Sequence, residues 1–257
     1  MRGLYAVYRK EMGHYFVSPV AYVVVGVFLV ICAIFFNFYV AAVVQNFALQ
    51  AAEGMNQPVD MPGEVLRAFF GLVSTLILFV TPMLTMGVYA EERKRGTMEL
   101  LMTSPVTETQ IALGKFLAAL TLFFAMFLPT VIEVVFLYFT SDPHPSIKII
   151  LVGYLGAILL GGCLLALGTF ISSLTENQLI AAVITFAAFL VVWIIDQVGP
   201  STGNIASVLQ YLSVIRHYED FARGVIDTST VIYYLSFIVL FVFLTIRSVD
   251  SIRWRRA

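Results

Sequence analysis

Few side chains in this 257-residue chain have a type and spacing that could carry chemistry. The three histidines, His14, His144 and His217, all fall outside the long apolar runs. No base therefore stands at depth beside a serine, and no histidine relay crosses an apolar segment. Neither HExxH nor a pair of intramembrane aspartates occurs, which argues against an intramembrane protease. Cys32 and Cys163 sit inside apolar runs without CxxC spacing and read as small core residues, not as metal or redox sites. Glu133 is the carboxylate well inside an apolar run, where insertion costs about 3 kcal/mol. Two readings stay open for it: a residue lining a cargo path or gate, and a protonated acid hydrogen-bonded to a neighbouring helix. Asp196, near the end of its run, reads as interfacial.

The densest chemistry is a charged stretch, Glu91 to Gln110, reading EERKRGTMELLMTSPVTETQ. Four carboxylates and three adjacent cations are packed there into a chain that is 12% charged. Charge that dense must lie in water at a membrane face. Gly96 follows the charged cluster, and Thr97-Met98-Glu99-Leu100-Leu101-Met102 is then a short run of good helix formers that Pro105 stops. Thr107 and Gln110 have capping-box spacing and start the next helix. A loop that only set topology would need neither the glycine break nor the short helix, and Leu100 to Met102 would stand exposed without a partner. The pattern predicts a helix built to dock on another protein.

The elements that position this stretch follow from composition. With 60% apolar side chains, 22 phenylalanines and a mean hydropathy of +0.92, the chain reads as an all-α polytopic membrane protein. Net charge is −1, which favours neither nucleic acid nor anionic lipid. Residues 4–16 form an amphipathic helix with Leu4, Tyr5, Tyr8, Met12, Tyr15 and Phe16 on one side, expected to lie in the interface with that side in lipid. The apolar stretch after it is too long for a signal-peptide h-region and reads as a span. Six spans are expected, at about 19–44, 65–90, 115–139, 147–170, 179–198 and 230–246. Residues 45–64 carry three acids and no Lys or Arg and read as an external loop. Pro82 and Pro129 interrupt the second and third spans. In the fourth, Gly153, Ala157 and Gly161 repeat every four residues, a stripe of small side chains suited to close helix packing. The 201–229 stretch keeps a roughly helical apolar spacing and predicts one or two short helices on, or dipping into, the outer leaflet.

Counting cations orients the chain. With both termini cytoplasmic, eleven of the fifteen Lys and Arg fall inside, and only Arg67, Lys148, Arg216 and Arg223 fall outside. The charged central stretch is then cytoplasmic as well. The proline breaks also suit a secondary transporter, but a single deep carboxylate is thin for ion coupling and no inverted repeat is visible.

EERKRGTMELLMTSPVT resembles the signature of the type-2 ABC exporter permeases, in which two glutamates end the second span and a Gly-Thr-x-Glu-Leu-Leu helix couples to an ATPase. The resemblance extends over the whole chain, and 168–182 and 211–227 are most similar to the gliding-motility-associated branch. It implies a half-transporter of the bacterial inner membrane that pairs with a second copy or a related permease. Glu91, Glu92, Gly96, Thr97, Met98, Glu99, Leu100, Leu101, Met102, Ser104 and Pro105 would make the ATPase-docking segment. The chain has no GxxxxGK[ST], so it is expected to bind no cofactor itself, with ATP and Mg on the partner. Closure of the ATPases would draw the docking helices together and tilt the second and fifth spans. Two functions follow as expectations: ATP-driven export of an amphiphilic substrate, and a membrane anchor or force transmitter for a cell-surface complex that moves no cargo. The 201–229 stretch is the expected seat of any external accessory protein.

Overall fold

The computed structural model describes residues 2–52, 60–197 and 213–254, which form eleven helices. Helix α1 (Arg2–Val17) meets α2 (Pro19–Ala52) at an elbow on Ser18. Pro19 suits the first position of a helix, where its missing N–H has no intrahelical partner to lose. At 1.5 Å per residue α2 is about 50 Å long, well beyond the roughly 30 Å of a hydrocarbon core. Residues 45–52, expected as part of a loop, are thus helical. Gln, Ala and Leu dominate there, and no Gly or Pro intervenes before Gly54.

The buried side of α1 is rotated from the face expected in lipid: Val7 and Glu11 are buried, while Leu4, Tyr8, Met12 and Tyr15 of that face are half-buried. Val7 is buried against α6 (Glu108–Phe127), and a methyl on Gly114 of α6 would come within 2.9 Å of the Val7 side chain. Tyr5 and Phe16, on the flank of that face, remain exposed. Helix α6 opens on the expected capping box, Thr107 and Gln110 each bonding the other's backbone N–H at 3.3 Å.

The prolines break their helices as expected. Helix α3 (Met61–Thr85) is capped by Asp60 and ends one turn past Pro82, and the chain resumes as α4 (Ala90–Lys94) and α5 (Thr97–Met102). Past α6, Pro129 starts α7 (Thr130–Thr140). Helices α8 (Ile147–Leu174), α9 (Gln178–Gln197), α10 (Val214–Ala222) and α11 (Thr228–Trp254) complete the bundle. Among the described residues, five segments are long and apolar enough to cross a membrane: Pro19–Gln50, Met61–Lys94, Glu108–Thr140, Ile147–Leu174 and Thr228–Ile252. The described apolar part of α9, Gln178–Trp193, is shorter, and the expected span at 179–198 ends outside the described residues.

Helix α8 is the axis, in contact with α3, α6, α9, α10 and α11. Its glycines form notches that rings fill: Phe70 at Gly153, Phe221 at Gly156 and Phe123 at Gly161. Ala157 between them is fully buried. The small side chains therefore admit aromatic side chains from neighbouring helices rather than a bare backbone.

Helix α10 is the described part of the 201–229 stretch; Val208, Leu209 and Leu212 lie outside the described residues. It does not rest on the bundle's surface. Val214, Tyr218 and Phe221 are buried, the Tyr218 hydroxyl donates to the Phe70 carbonyl at 3.1 Å, and Tyr234 donates to the Val214 carbonyl at 2.6 Å.

A methyl added at Gly161 would stand 2.1 Å from the Phe123 ring. Gly161→Ala is expected to destabilise the chain by about 1–3 kcal/mol through overpacking. Denaturant unfolding in micelles measures this, and Phe123→Leu in the same chain should recover part of the loss.

Candidate functional site

The charged segment hangs from the break after Pro82. A helix that stops in apolar surroundings leaves backbone groups without partners, and each must be satisfied. Here one side chain serves three of them. The Ser172 hydroxyl accepts from the backbone N–H of Tyr89 at 3.2 Å and of Ala90 at 3.3 Å, and donates to the Met86 carbonyl at 3.0 Å. One turn earlier in α8, Gly168 leaves room for Thr85, whose Oγ1 would be 2.3 Å from a methyl there. Helix α8 thus holds both sides of the break.

The two glutamates after the break part company. Glu92 turns inward to α1 and α6, where it meets Lys10 at 2.6 Å and Lys115 at 3.0 Å. Lys115 is 1% exposed and also donates to Glu11 Oε1 and to the Val88 carbonyl, both at 2.8 Å. The Tyr89 ring lies 5.2 Å from its ammonium. Burial lowers the pKa of Lys10, but its hydrogen bond and charge contact with Glu92 outweigh that and hold it above the ordinary lysine value. Glu91 faces the other way: Gln178 at the start of α9 donates to its Oε2 at 2.8 Å, and Arg95 pairs with its Oε1. Arg93 ties the same region to the end of α8, donating to the Ser173 carbonyl at 2.7 Å and pairing with Glu176 at 3.2 Å.

Gly96, the residue between α4 and α5, has φ 69°. Side chains with a Cβ disfavour this left-handed conformation, so glycine makes the turn that redirects the chain into α5. Thr97 Oγ1 bonds back to the Glu92 carbonyl at 3.3 Å. Met98 is buried in a small core with Val7, Val88, Tyr89, Ile111 and Val249, and Leu101 and Met102 pack partly against it. The expectation that Leu100, Leu101 and Met102 all project is therefore corrected. Leu100 alone of the three is exposed, while Leu101 and Met102 are half-buried, because a helix of 3.6 residues per turn puts Met98, Leu101 and Met102 on one side. Glu99 also lies on the exposed side, Ser104 and Pro105 follow the helix, and Ser104 Oγ donates to the Leu101 carbonyl.

Glu133 lies apart from this site on α7, which packs on α2. Its Oε2 is shielded and makes no hydrogen bond among the described residues. Two histidines lie apart as well, His217 stacked on Tyr233 and His144 on Tyr138, whereas His14 belongs to the site, 3.8 Å from Glu91.

Sequence reasoning missed the inward half of the site. Lys115 counts from the sequence as an aqueous cation at the start of a span, and Glu11 and Ser172 carry no motif. A signal for Glu11 was present: it is a lone acid between Tyr8, Met12 and Tyr15 on the buried side of α1.

Apolar spans packed on a glycine-notched axis, with a short amphipathic helix held at one end by buried ion pairs, define a polytopic helical membrane protein. Over residues 5–249 the sequence matches the family described as ABC-2 family transporter protein, and the chain belongs to it. It is 24% identical over 204 residues to the probable multidrug ABC transporter permease YbhR of Escherichia coli K12, covering 73% of this chain and 54% of that protein. With the probable multidrug ABC transporter permease YbhS of the same strain it shares 29% over 166 residues, or 59% and 43% of the two chains. The matches span about half the length of these curated relatives. Permeases of this family are not themselves the catalytic subunits and work with ATP-binding subunits.

Lys115→Met would leave Glu11 and Glu92 without their shared cation. The expected cost is about 3–5 kcal/mol, since it uncovers buried charge. Pairing it with Glu11→Gln should cost less than the sum of the two single changes, and a double-mutant cycle on unfolding free energies measures the coupling.

Proposed function

We propose that this chain is the membrane-spanning half of an ATP-driven exporter of the bacterial inner membrane, with six spans and both termini cytoplasmic. A separate ATPase docks on α5, and two permease copies, or this chain and a related one, form the transport unit. The observation that carries the reading is α5 itself. It is anchored by Met98 on one side and presents Leu100 and Glu99 on the other, so the helix is rigid where it joins the chain and open where a partner would sit. Glu91 and Glu92 act as positioning residues that hold α4, and through it α5, against the bundle.

The substrate class follows from how the spans treat their hydroxyls. Thr81, Thr85, Thr169 and Thr245 are buried and each donates to a carbonyl three or four residues back in its own helix, and buried Thr130 donates to the Phe127 carbonyl at the end of α6. Such hydroxyls are spent on the backbone and offer a hydrophilic cargo little in exchange for its water. An amphiphile that keeps its head at the interface suits these spans better. The same dryness favours the second reading, a force-transmitting anchor of the gliding-motility kind that moves no cargo.

Leu100→Asp is expected to release the ATPase from the purified complex while leaving the chain inserted and folded. Leu100 suits this test better than Leu101, which also packs inside. Capture of a P-loop ATPase by the wild-type chain at near equal amounts, lost on the substitution, supports docking; an unchanged complex rejects it. Glu133→Gln should leave assembly intact, and a loss of ATP-coupled activity in that assembled complex assigns Glu133 to the path.

A further inference from the structure

A cavity of about 340 Å³ opens at the elbow between α1 and α2, against the α3–α4 break and the start of α9. That is within the size range of small-molecule pockets, roughly 300–1,000 Å³. Its wall changes character along the direction of the spans. Ala21 and Val24 of α2 and Met83 and Leu84 of α3 line the part inside the apolar spans. Glu11, His14, Glu91, Arg95 and Gln178 line the part beyond or at the span ends. A pocket with that gradient, at the level where spans give way to charged residues, matches a molecule with an apolar chain and a polar head.

The charges select the head. Two carboxylates, Glu11 and Glu91, line the cavity against one guanidinium, that of Arg95. Glu11 is committed to Lys115 behind the wall, at 2.8 Å. Glu91 holds Gln178 and Arg95 and has the His14 ring at 3.8 Å, and the Arg95 side chain is 67% exposed while that of Glu91 is 24% exposed. An arginine so exposed is weakly held and screened by water. An ammonium entering from the apolar side would meet the same carboxylate with less water around it.

We propose that this cavity binds a single-chain amphiphile with a primary ammonium head, and that the head competes with Arg95 for Glu91. The inference rests on the exporter reading for its role and names the substrate class of that exporter. It also gives the occupied cavity a route to the docking helix. Arg95 immediately precedes Gly96, the turn into α5, so exchanging its partner releases a side chain at the base of that helix.

The test uses the full chain in phosphatidylcholine nanodiscs without any ATPase, titrated with radiolabelled dodecylammonium and corrected for uptake by empty discs. Saturable binding is expected, displaced by unlabelled dodecylammonium and not by dodecyl sulfate. Glu91→Gln should weaken it about tenfold or more, the loss of one charge-assisted contact. Arg95→Ala should tighten it severalfold because it removes the competitor. The exposed Arg95 position keeps the test decisive should Glu91→Gln fail to fold. Uptake no greater than that of empty discs, equal displacement by dodecyl sulfate, or an Arg95→Ala chain that binds no more tightly would each overturn the proposal. A chain that captures its ATPase yet lacks saturable binding overturns the pocket alone. One that binds dodecylammonium yet captures no ATPase keeps the pocket and rejects docking.

Discussion

An ammonium group taken out of water must find its counter-charges inside the protein, and Lys115 finds them where four pieces of chain converge. Desolvating such an ion costs several kcal/mol, which is offset only when geometry and additional hydrogen bonds are good. Lys115 meets that condition with Glu11 of α1, Glu92 of α4, the Val88 carbonyl in the break and the Tyr89 ring. Each of these partners is displaced if its segment moves. The amphipathic helix, the break and the third crossing segment are thereby tied at one point, and α4 has one position from which to launch α5. Hydrophobic contact is tolerant of small slides; a buried charge with three directed partners is not.

A second constraint acts from the opposite side of the break. Ser172 supplies the hydrogen bonds that the interrupted helix cannot make for itself, and it does so from α8, the helix with the widest set of neighbours. Rings seated in the notches of Gly153, Gly156 and Gly161 hold α8 against α3, α10 and α6. The segment carrying Glu91 and Glu92 therefore hangs between two anchors, ionic on the α1 and α6 side and hydrogen-bonded on the α8 side. Force applied to α5 would reach the bundle through both. The arrangement makes α5 stiff towards its own bundle and leaves one of its faces exposed.

The membership of the ABC-2 family and the chemistry of the spans bear on different questions. Membership places the chain among permeases that work with ATP-binding subunits, and the relatives it matches are themselves named as probable multidrug permeases. The spans bear on the cargo question, because most of their buried threonines donate to backbone carbonyls and so offer little to a polar solute. A polar gradient instead occurs at the elbow cavity, at the edge of the apolar region. If cargo is handled by this chain, its polar part fits there and its apolar part fits the spans.

The amino-acid sequence alone determined the features that local chemistry controls. Apolar runs long enough to span a bilayer, proline breaks at 82 and 129, the capping box at Thr107 and the glycine turn at 96 all follow from single residues and their immediate neighbours. Helix α2 outran its expected end because a span's hydrophobic limit is not a helix's limit; only Gly, Pro or a cap stops the backbone. Tertiary structure decided what pairs with what. Lys115 lies 104 residues from Glu11 and 27 from Val88 along the chain, and Ser172 lies 82 from Ala90. No spacing rule links such positions, because the bundle's topology, and not the helical period, brings them together. The same holds for α5: its composition announced an amphipathic helix, but the fold chose Leu100 as the exposed leucine by giving Met98 and Leu101 a core of their own.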